Sequence, residues 1–182
     1  MRRPLRLVAV AGLLVACGGS GESPRPVSGL PEDAGPLDAP NRRHARLRQR
    51  MRQRGYGEEV GLTRTFVLED HGVAFPLDLQ VGYCSTFLAL GGGSIRDMRL
   101  TLYDGEGEEA ATDSLRGEGG LVHVCPQGAR GHRPHYLVVR TREGAGAVLL
   151  GHFRSAPGAG DGFDGLFEGV LAPRVPFRDV EE

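Results

Sequence analysis

The side chains of this 182-residue chain that could carry out chemistry are six histidines, three cysteines and a scatter of acids and serines. His132 and His135 stand three apart, and a zinc site there would need a third ligand such as His123 or His152. Arg130, Arg133 and Pro134 surround that pair, which suits a solvated loop better than a metal centre. Asp104, Glu106, Glu108 and Glu109 crowd one turn and could attract a hard cation. They lack the D-x-[DN]-x-[DN]-G order with its closing glutamate, so a charged hairpin is the expectation. Ser94 follows three glycines, but the segment is not G-x-S-x-G and has no helix to complete a nucleophile elbow, so it reads as a turn residue. The chain has no phosphate-binding loop, H-E-x-x-H pair or Rossmann glycine pattern. The residues therefore predict no assembled active site, no metal and no cofactor.

The clearest covalent signal lies at the N-terminus. Arg2, Arg3 and Arg6 precede an apolar run from Leu7 to Val15 that is too short to span a bilayer, and Ala16 is the small residue a signal peptidase requires. The stretch Leu14-Val15-Ala16-Cys17 resembles the lipobox of bacterial lipoproteins. That resemblance implies removal of residues 1–16 as a signal peptide and a diacylglycerol thioether on the Cys17 thiol. It also implies acylation of the freed amine, with palmitate as the fatty acid, and residence in a bacterial cell envelope, at the outer membrane in preference to the inner. Each buried methylene contributes about 0.8 kcal/mol, so two or three chains hold a protein where one holds it marginally.

With Cys17 assigned to lipid, Cys84 and Cys125 remain as an even pair in an oxidising compartment, and a disulfide is expected. They lie 41 residues apart. A loop of that length stabilises by about 4 kcal/mol in the chain-entropy model. The alternative is a thiol nucleophile or a metal ligand, but neither cysteine is read as part of a C-x-x-C pair or a Cys/His ligand spacing.

The elements that would position these groups fall into four parts after the signal. Residues 17–40 read as the anchor and an extended tether, with Pro24, Pro26, Pro31, Pro36 and Pro40. Residues 41–55 read as a basic helix, with Asn41 as N-cap, Gly55 as stop and a thin apolar side of Ala45, Leu47 and Met51. Residues 56–155 change to period two: Val73, Phe75, Leu77 and Leu79 alternate, as do Met98, Leu100 and Leu102, Tyr136 and Val138, and Val148 and Leu150. Turn chemistry separates the runs at 70–72, 91–93, 104–107, 117–120 and 143–144. The pattern predicts an all-β fold, an antiparallel β-sandwich or jelly roll of seven or eight strands. Residues 156–182 form a tail rich in Gly, Pro and acids, in which Phe163, Leu166, Phe167, Val170 and Leu171 keep helical spacing. Gly162, Gly165 and Gly169 oppose a helix there by about 1 kcal/mol each, so the apolar face needs another surface, the chain's own sandwich ahead of a partner.

Along the strands the order is Gly82-Tyr83-Cys84, then Asp97-Met98-Arg99-Leu100-Thr101-Leu102-Tyr103-Asp104, Asp113, Val122-His123-Val124-Cys125-Pro126 and Tyr136-Leu137-Val138-Val139. It is similar to the sandwich modules, like pre-peptidase C-terminal domains, of secreted and lipid-anchored proteins of myxobacteria and related bacteria. The resemblance covers about 100 residues and implies a non-catalytic accessory, adhesive or partner-binding unit. Arg96 and Arg99 flank Asp97 where some relatives carry denser aspartates, which argues against calcium.

Charge narrows the partners. Loss of residues 1–16 removes three of 22 basic residues and none of 23 acidic ones, so the mature chain is modestly acidic and nucleic acid is not expected as a partner. The charge is unevenly spread: residues 41–56 hold seven arginines and no acid, whereas residues 57–182 hold 11 arginines and 19 acids. Arg46, Arg48, Arg50 and Arg52 are thus candidates for contact with an anionic surface, against the simpler reading of a helix lying on its own acidic sandwich. The leading expectation is a lipid-anchored envelope protein whose non-catalytic sandwich binds a protein partner or a surface polymer. The alternative is a periplasmic or surface hydrolase, or a metal-dependent enzyme, with a site assembled from loops.

Overall fold

In the computed structural model, residues 38–92, 94–113, 115–159, 162–171 and 175–176 are described. The signal peptide, the tether as far as residue 37 and Cys17 lie outside them. The chain runs from helix α1 (Asp38–Gln53) through strands β1 (Glu58–Val67), β2 (Gly72–Gln80), β3 (Cys84–Gly91), β4 (Asp97–Asp104) and β5 (Glu109–Thr112). It continues through β6 (Leu115–Arg116), β7 (Gly119–Val124), β8 (His132–Glu143), β9 (Gly146–Ser155) and β10 (Val175–Pro176).

Eight strands make two antiparallel four-stranded sheets, ordered β1-β9-β3-β7 and β2-β8-β4-β5, while β6 and β10 pair separately. Among the strands of the two large sheets only the β4–β5 link stays within one sheet. Every other link changes sheet, so the chain wraps around the sandwich in jelly-roll order. The alternation read from the sequence holds on β4, where Met98, Leu100 and Leu102 are fully buried, and on β9, where Val148 and Leu150 are buried. These pack with Phe87, Ala89, Val122, Leu137 and Val139 into the core between the sheets. On β8 the phase is the reverse of that expected: Leu137 and Val139 point inward and Tyr136 is exposed. Tyr136-Leu137-Val138-Val139 is apolar at four successive positions, so periodicity alone cannot say which pair faces the core.

The sheet containing β3 is apolar on both faces. All eight residues of β3 are buried. Phe87 and Ala89 enter the inter-sheet core, while Leu88 and Leu90 join Leu47, Met51, Tyr56, Phe153, Leu166, Val170 and Leu171 in a second cluster outside the sheet. Helix α1 lies across β9 and β3, and the segment 163–171 packs beside it. The fold is therefore a sandwich with a third layer built from both ends of the described chain.

Helix α1 begins at Asp38, three residues before the expected Asn41. Pro40 lies within the first turn, where a missing N–H costs nothing because that donor has no partner in the helix. Its buried face consists of Pro40, His44, Leu47 and Met51, one per turn, and Ala45 is exposed rather than part of it. The stop is where it was expected. Gly55, at φ 80°, donates to the Arg52 carbonyl at 3.1 Å, and Tyr56 N–H donates to the Met51 carbonyl at 3.0 Å. That pair of bonds is a Schellman closure, which favours glycine because of the positive φ.

The segment 163–171 keeps its apolar face but is a series of turns, not a helix. Gly165 and Gly169 sit at φ 66° and 62°, and Leu166 N–H bonds to the Phe163 carbonyl, as Val170 N–H does to that of Phe167. Left-handed glycines every four residues break the helical ladder while returning the chain to the same side. Arginines of α1 hold these turns. Arg50 donates to the carbonyls of Leu166 (2.8 Å) and Glu168 (2.7 Å), and Arg54 to those of Asp164 (2.6 Å) and Gly162 (3.3 Å).

The third layer makes Leu47 a core residue despite its arginine-rich surroundings. Leu47→Ala is expected to cost about 2–5 kcal/mol in urea unfolding, while Ala45→Gln two positions away stays within about 0.5 kcal/mol.

Candidate functional site

Cys84 opens β3 and Cys125 follows β7. The register sets Ser85 opposite Val124 and Thr86 opposite His123, which brings the two cysteines directly across from one another. They form a disulfide with Cα atoms 4.1 Å apart. The pairing expected from the cysteine count is present, and it staples the start of one strand to the end of its neighbour. Cys84 is fully buried and Cys125 half-buried.

His123 stands two residues before Cys125, so strand alternation puts both side chains on one face of the sheet. Its Nδ1 lies 2.8 Å from Thr86 Oγ1 and its Nε2 3.5 Å from Cys125 Sγ. Tyr56 meets the imidazole edge-on at 6.2 Å, Phe163 approaches it at 5.5 Å, and these two rings stack on each other at 4.6 Å. Burial pushes the His123 pKa down, so the ring is neutral in its corner. Two sulfurs, one imidazole and an aromatic cover thus meet at the boundary between sheet and third layer. Spacing in the sequence places neither cysteine in a Cys/His ligand set and groups His123 with His132 and His135; the structure corrects this, because strand alternation places His123 beside Cys125, and Thr86 joins through the neighbouring strand.

The other candidates are dispersed. His132 is exposed and 3.2 Å from Asp78, whereas His135 is buried with Nδ1 3.0 Å from the Arg133 carbonyl. Three residues apart on a strand, they face opposite ways, and neither His123 nor His152 joins them in a ligand cluster among the described residues. His152 Nε2 is 3.1 Å from Ser85 Oγ, a pairing that could suggest a nucleophile and its base. Ser85 is 4% exposed, and Phe87 stacks on the half-buried imidazole at 4.4 Å, so the pair is held as a hydrogen-bonded packing contact. Ser94 donates to the Ala145 carbonyl at 2.7 Å, the turn role expected of it.

In the acidic hairpin, Asp104 Oδ1 accepts N–H bonds from Glu106 and Glu108, both at 2.9 Å. The bond from Glu108 leads in holding the Asp104 carboxyl below the ordinary range. That carboxylate fastens a turn. Beside it an open cleft of about 440 Å³ is lined by Asp104, Glu106, Cys125, Gln127, Arg133 and His135, a mixture of both charge signs. Asp113, the isolated aspartate of the strand motif, accepts the Leu121 N–H at 2.6 Å and so ties β7 to the end of β5.

The arginines of α1 divide into two groups. Arg43 pairs with Glu118, and Arg50 and Arg54 hold the C-terminal turns. His44 lies 2.7 Å from Glu59, which also faces Arg48 at 3.6 Å. Of the four candidates for an anionic surface, Arg50 is therefore engaged within the fold, while Arg46, Arg48 and Arg52 are exposed, together with Arg42.

Fold and site together define a jelly-roll sandwich with a disulfide staple and a basic helical layer. No family model matches the chain, and no curated protein does.

The half-buried His152 has a measurable signature. Burial, assisted by Arg154, pushes its pKa down to about 4 from an ordinary 6.5. The folded state binds fewer protons than the unfolded state between those values, so stability is complete above pH 6.5 and declines as the pH falls towards 4. His152→Gln is expected to flatten that decline in unfolding midpoints measured from pH 7 to pH 4.

Proposed function

We propose that the protein is a lipid-anchored component of a bacterial cell envelope, held through acyl chains on Cys17, whose sandwich is non-catalytic and engages an envelope protein or surface polymer. The lipobox at Leu14 to Cys17 supports the anchor, and the disulfide suits an oxidising compartment. The likeness to accessory sandwich modules supports a binding role.

The observation that carries the reading is the division of arginines on α1. Arg43, Arg50 and Arg54 fix the helix to the fold and Arg48 faces Glu59, while Arg42, Arg46 and Arg52 are displayed outward from a rigid layer. Cations held this way lose little entropy when they meet an anionic surface, in contrast to a mobile basic tail. The surface we assign is the headgroup layer beside the anchor. An acidic polymer has the same charge, and a vesicle measurement distinguishes it by showing no lipid binding.

Cys17→Ser is expected to move the protein from the membrane fraction to the soluble one and to abolish the mass increment of the lipid. Retention of both by the variant refutes the anchor. In the same unlipidated background, replacing Arg46, Arg48 and Arg52 by Gln is expected to weaken binding to phosphatidylglycerol vesicles at low salt by about 100-fold, from about 1 kcal/mol per arginine. Arg50→Gln leaves vesicle binding in place and lowers the unfolding midpoint instead. Equal binding by the triple variant at every salt concentration refutes the surface role.

A further inference from the structure

We propose that Cys84, Cys125 and His123 form a redox-gated site for a thiophilic metal ion, Zn²⁺, which is closed in the disulfide form and opens when the disulfide is reduced. The two sulfurs and a ring nitrogen of His123 lie within 4.8 Å of one another, and among the described residues this is the set of side chains that could hold a metal. A tetrahedral zinc with bonds of about 2.3 Å to sulfur and 2.0–2.1 Å to nitrogen sets its ligand atoms about 3.5–3.8 Å apart. His123 Nε2 and Cys125 Sγ already stand 3.5 Å apart. Once their bond is broken, the two sulfurs must separate and Cys84 Sγ, within 4.8 Å of the ring nitrogen, must settle at the ligand spacing, both by side-chain rotation.

Two features hold the ligands in place. The strands bearing them are paired antiparallel from Ser85–Val124 to Leu90–Gly119, and β3 is also paired along its length with β9, so backbone pairing independent of the disulfide holds the ligands near one another. His123 also has an outer partner. With Nδ1–H donating to Thr86 Oγ1, the Nε2 lone pair is directed at the sulfurs, the arrangement that orients metal-binding imidazoles. Tyr56 and Phe163 cover the ring, while half-buried Cys125 gives the solvent side of the site.

The chemistry balances. A dithiol reductant supplies two electrons and two protons, becomes a disulfide itself, and leaves Cys84 and Cys125 as thiols. Zinc binding then releases those two protons, and two thiolates with one Zn²⁺ give a site of zero net charge, which is favourable in a buried location. Three protein ligands leave the fourth position to water or to an exogenous ligand. The inference is independent of the anchor and of the arginine surface.

The test uses the full chain carrying Cys17→Ser, so that neither lipid nor a third thiol contributes, reduced with a phosphine and freed of it without air. Titration with Co²⁺ is expected to give one equivalent of tetrahedral cobalt with a thiolate charge-transfer band, displaced by Zn²⁺. The oxidised protein is expected to give neither. His123→Ala and Thr86→Val are expected to weaken Co²⁺ binding by about 10- to 100-fold. If reduction unfolds the sandwich, Zn²⁺ is expected to restore its strand circular dichroism. A reduced, folded protein with no thiolate band, equal affinity after His123→Ala, binding by the oxidised form, or unfolding that zinc does not reverse each overturns the proposal.

Discussion

The structure depends on one constraint: the β1-β9-β3-β7 sheet is apolar on both faces. An antiparallel sheet in a two-layer sandwich ordinarily turns one face to water. Here β3 is buried at all eight positions, and Leu88, Leu90 and Phe153 would remain wet if the sandwich ended at its second sheet. At about 25 cal/mol per Å² of apolar surface, covering such a face outweighs the poor intrinsic stability of the segments that cover it. A helix half made of arginine and glutamine, and a glycine-broken segment with no regular structure, both acquire their order from that surface.

The arrangement gives arginine two separate uses. Guanidinium groups at Arg50 and Arg54 satisfy the carbonyls that irregular turns leave unpaired, with several donors in one planar group. Arg43 and His44 meet acids of the sheet, Glu118 and Glu59. The attraction expected between the basic segment and the acidic remainder is thus realised locally, by a few residues, and the rest of the helix keeps its charge in water.

Much of this was legible in the sequence, and the parts that were not have specific causes. Strand positions followed from alternation wherever apolar residues were spaced by two, as at Met98, Leu100 and Leu102; the phase of β8 was hidden where four apolar residues run together. Pro40 reads as a breaker in isolation, yet in a first turn it is compatible with the helix, which displaced the expected start. The spacing of Phe163, Leu166, Phe167, Val170 and Leu171 gave the correct face but not a continuous helix, because positive-φ glycines break the ladder into separate turns with isolated turn bonds. The disulfide followed from counting. The corner around it did not, because Thr86, Tyr56 and Phe163 approach His123 through tertiary packing, which no local pattern encodes.

Building the third layer from both ends of the described chain also bears on when the fold can form. Nearly every connection crosses between sheets, so most stabilising pairings join residues distant in sequence and must await the closure of long loops. The cover over β3 is the last to be completed, since α1 is made first and the turns that Arg50 and Arg54 grip emerge only after β9. A chain so arranged behaves as a clasp whose two halves are synthesised at opposite ends. It can shut only after residues 163–171 have been made.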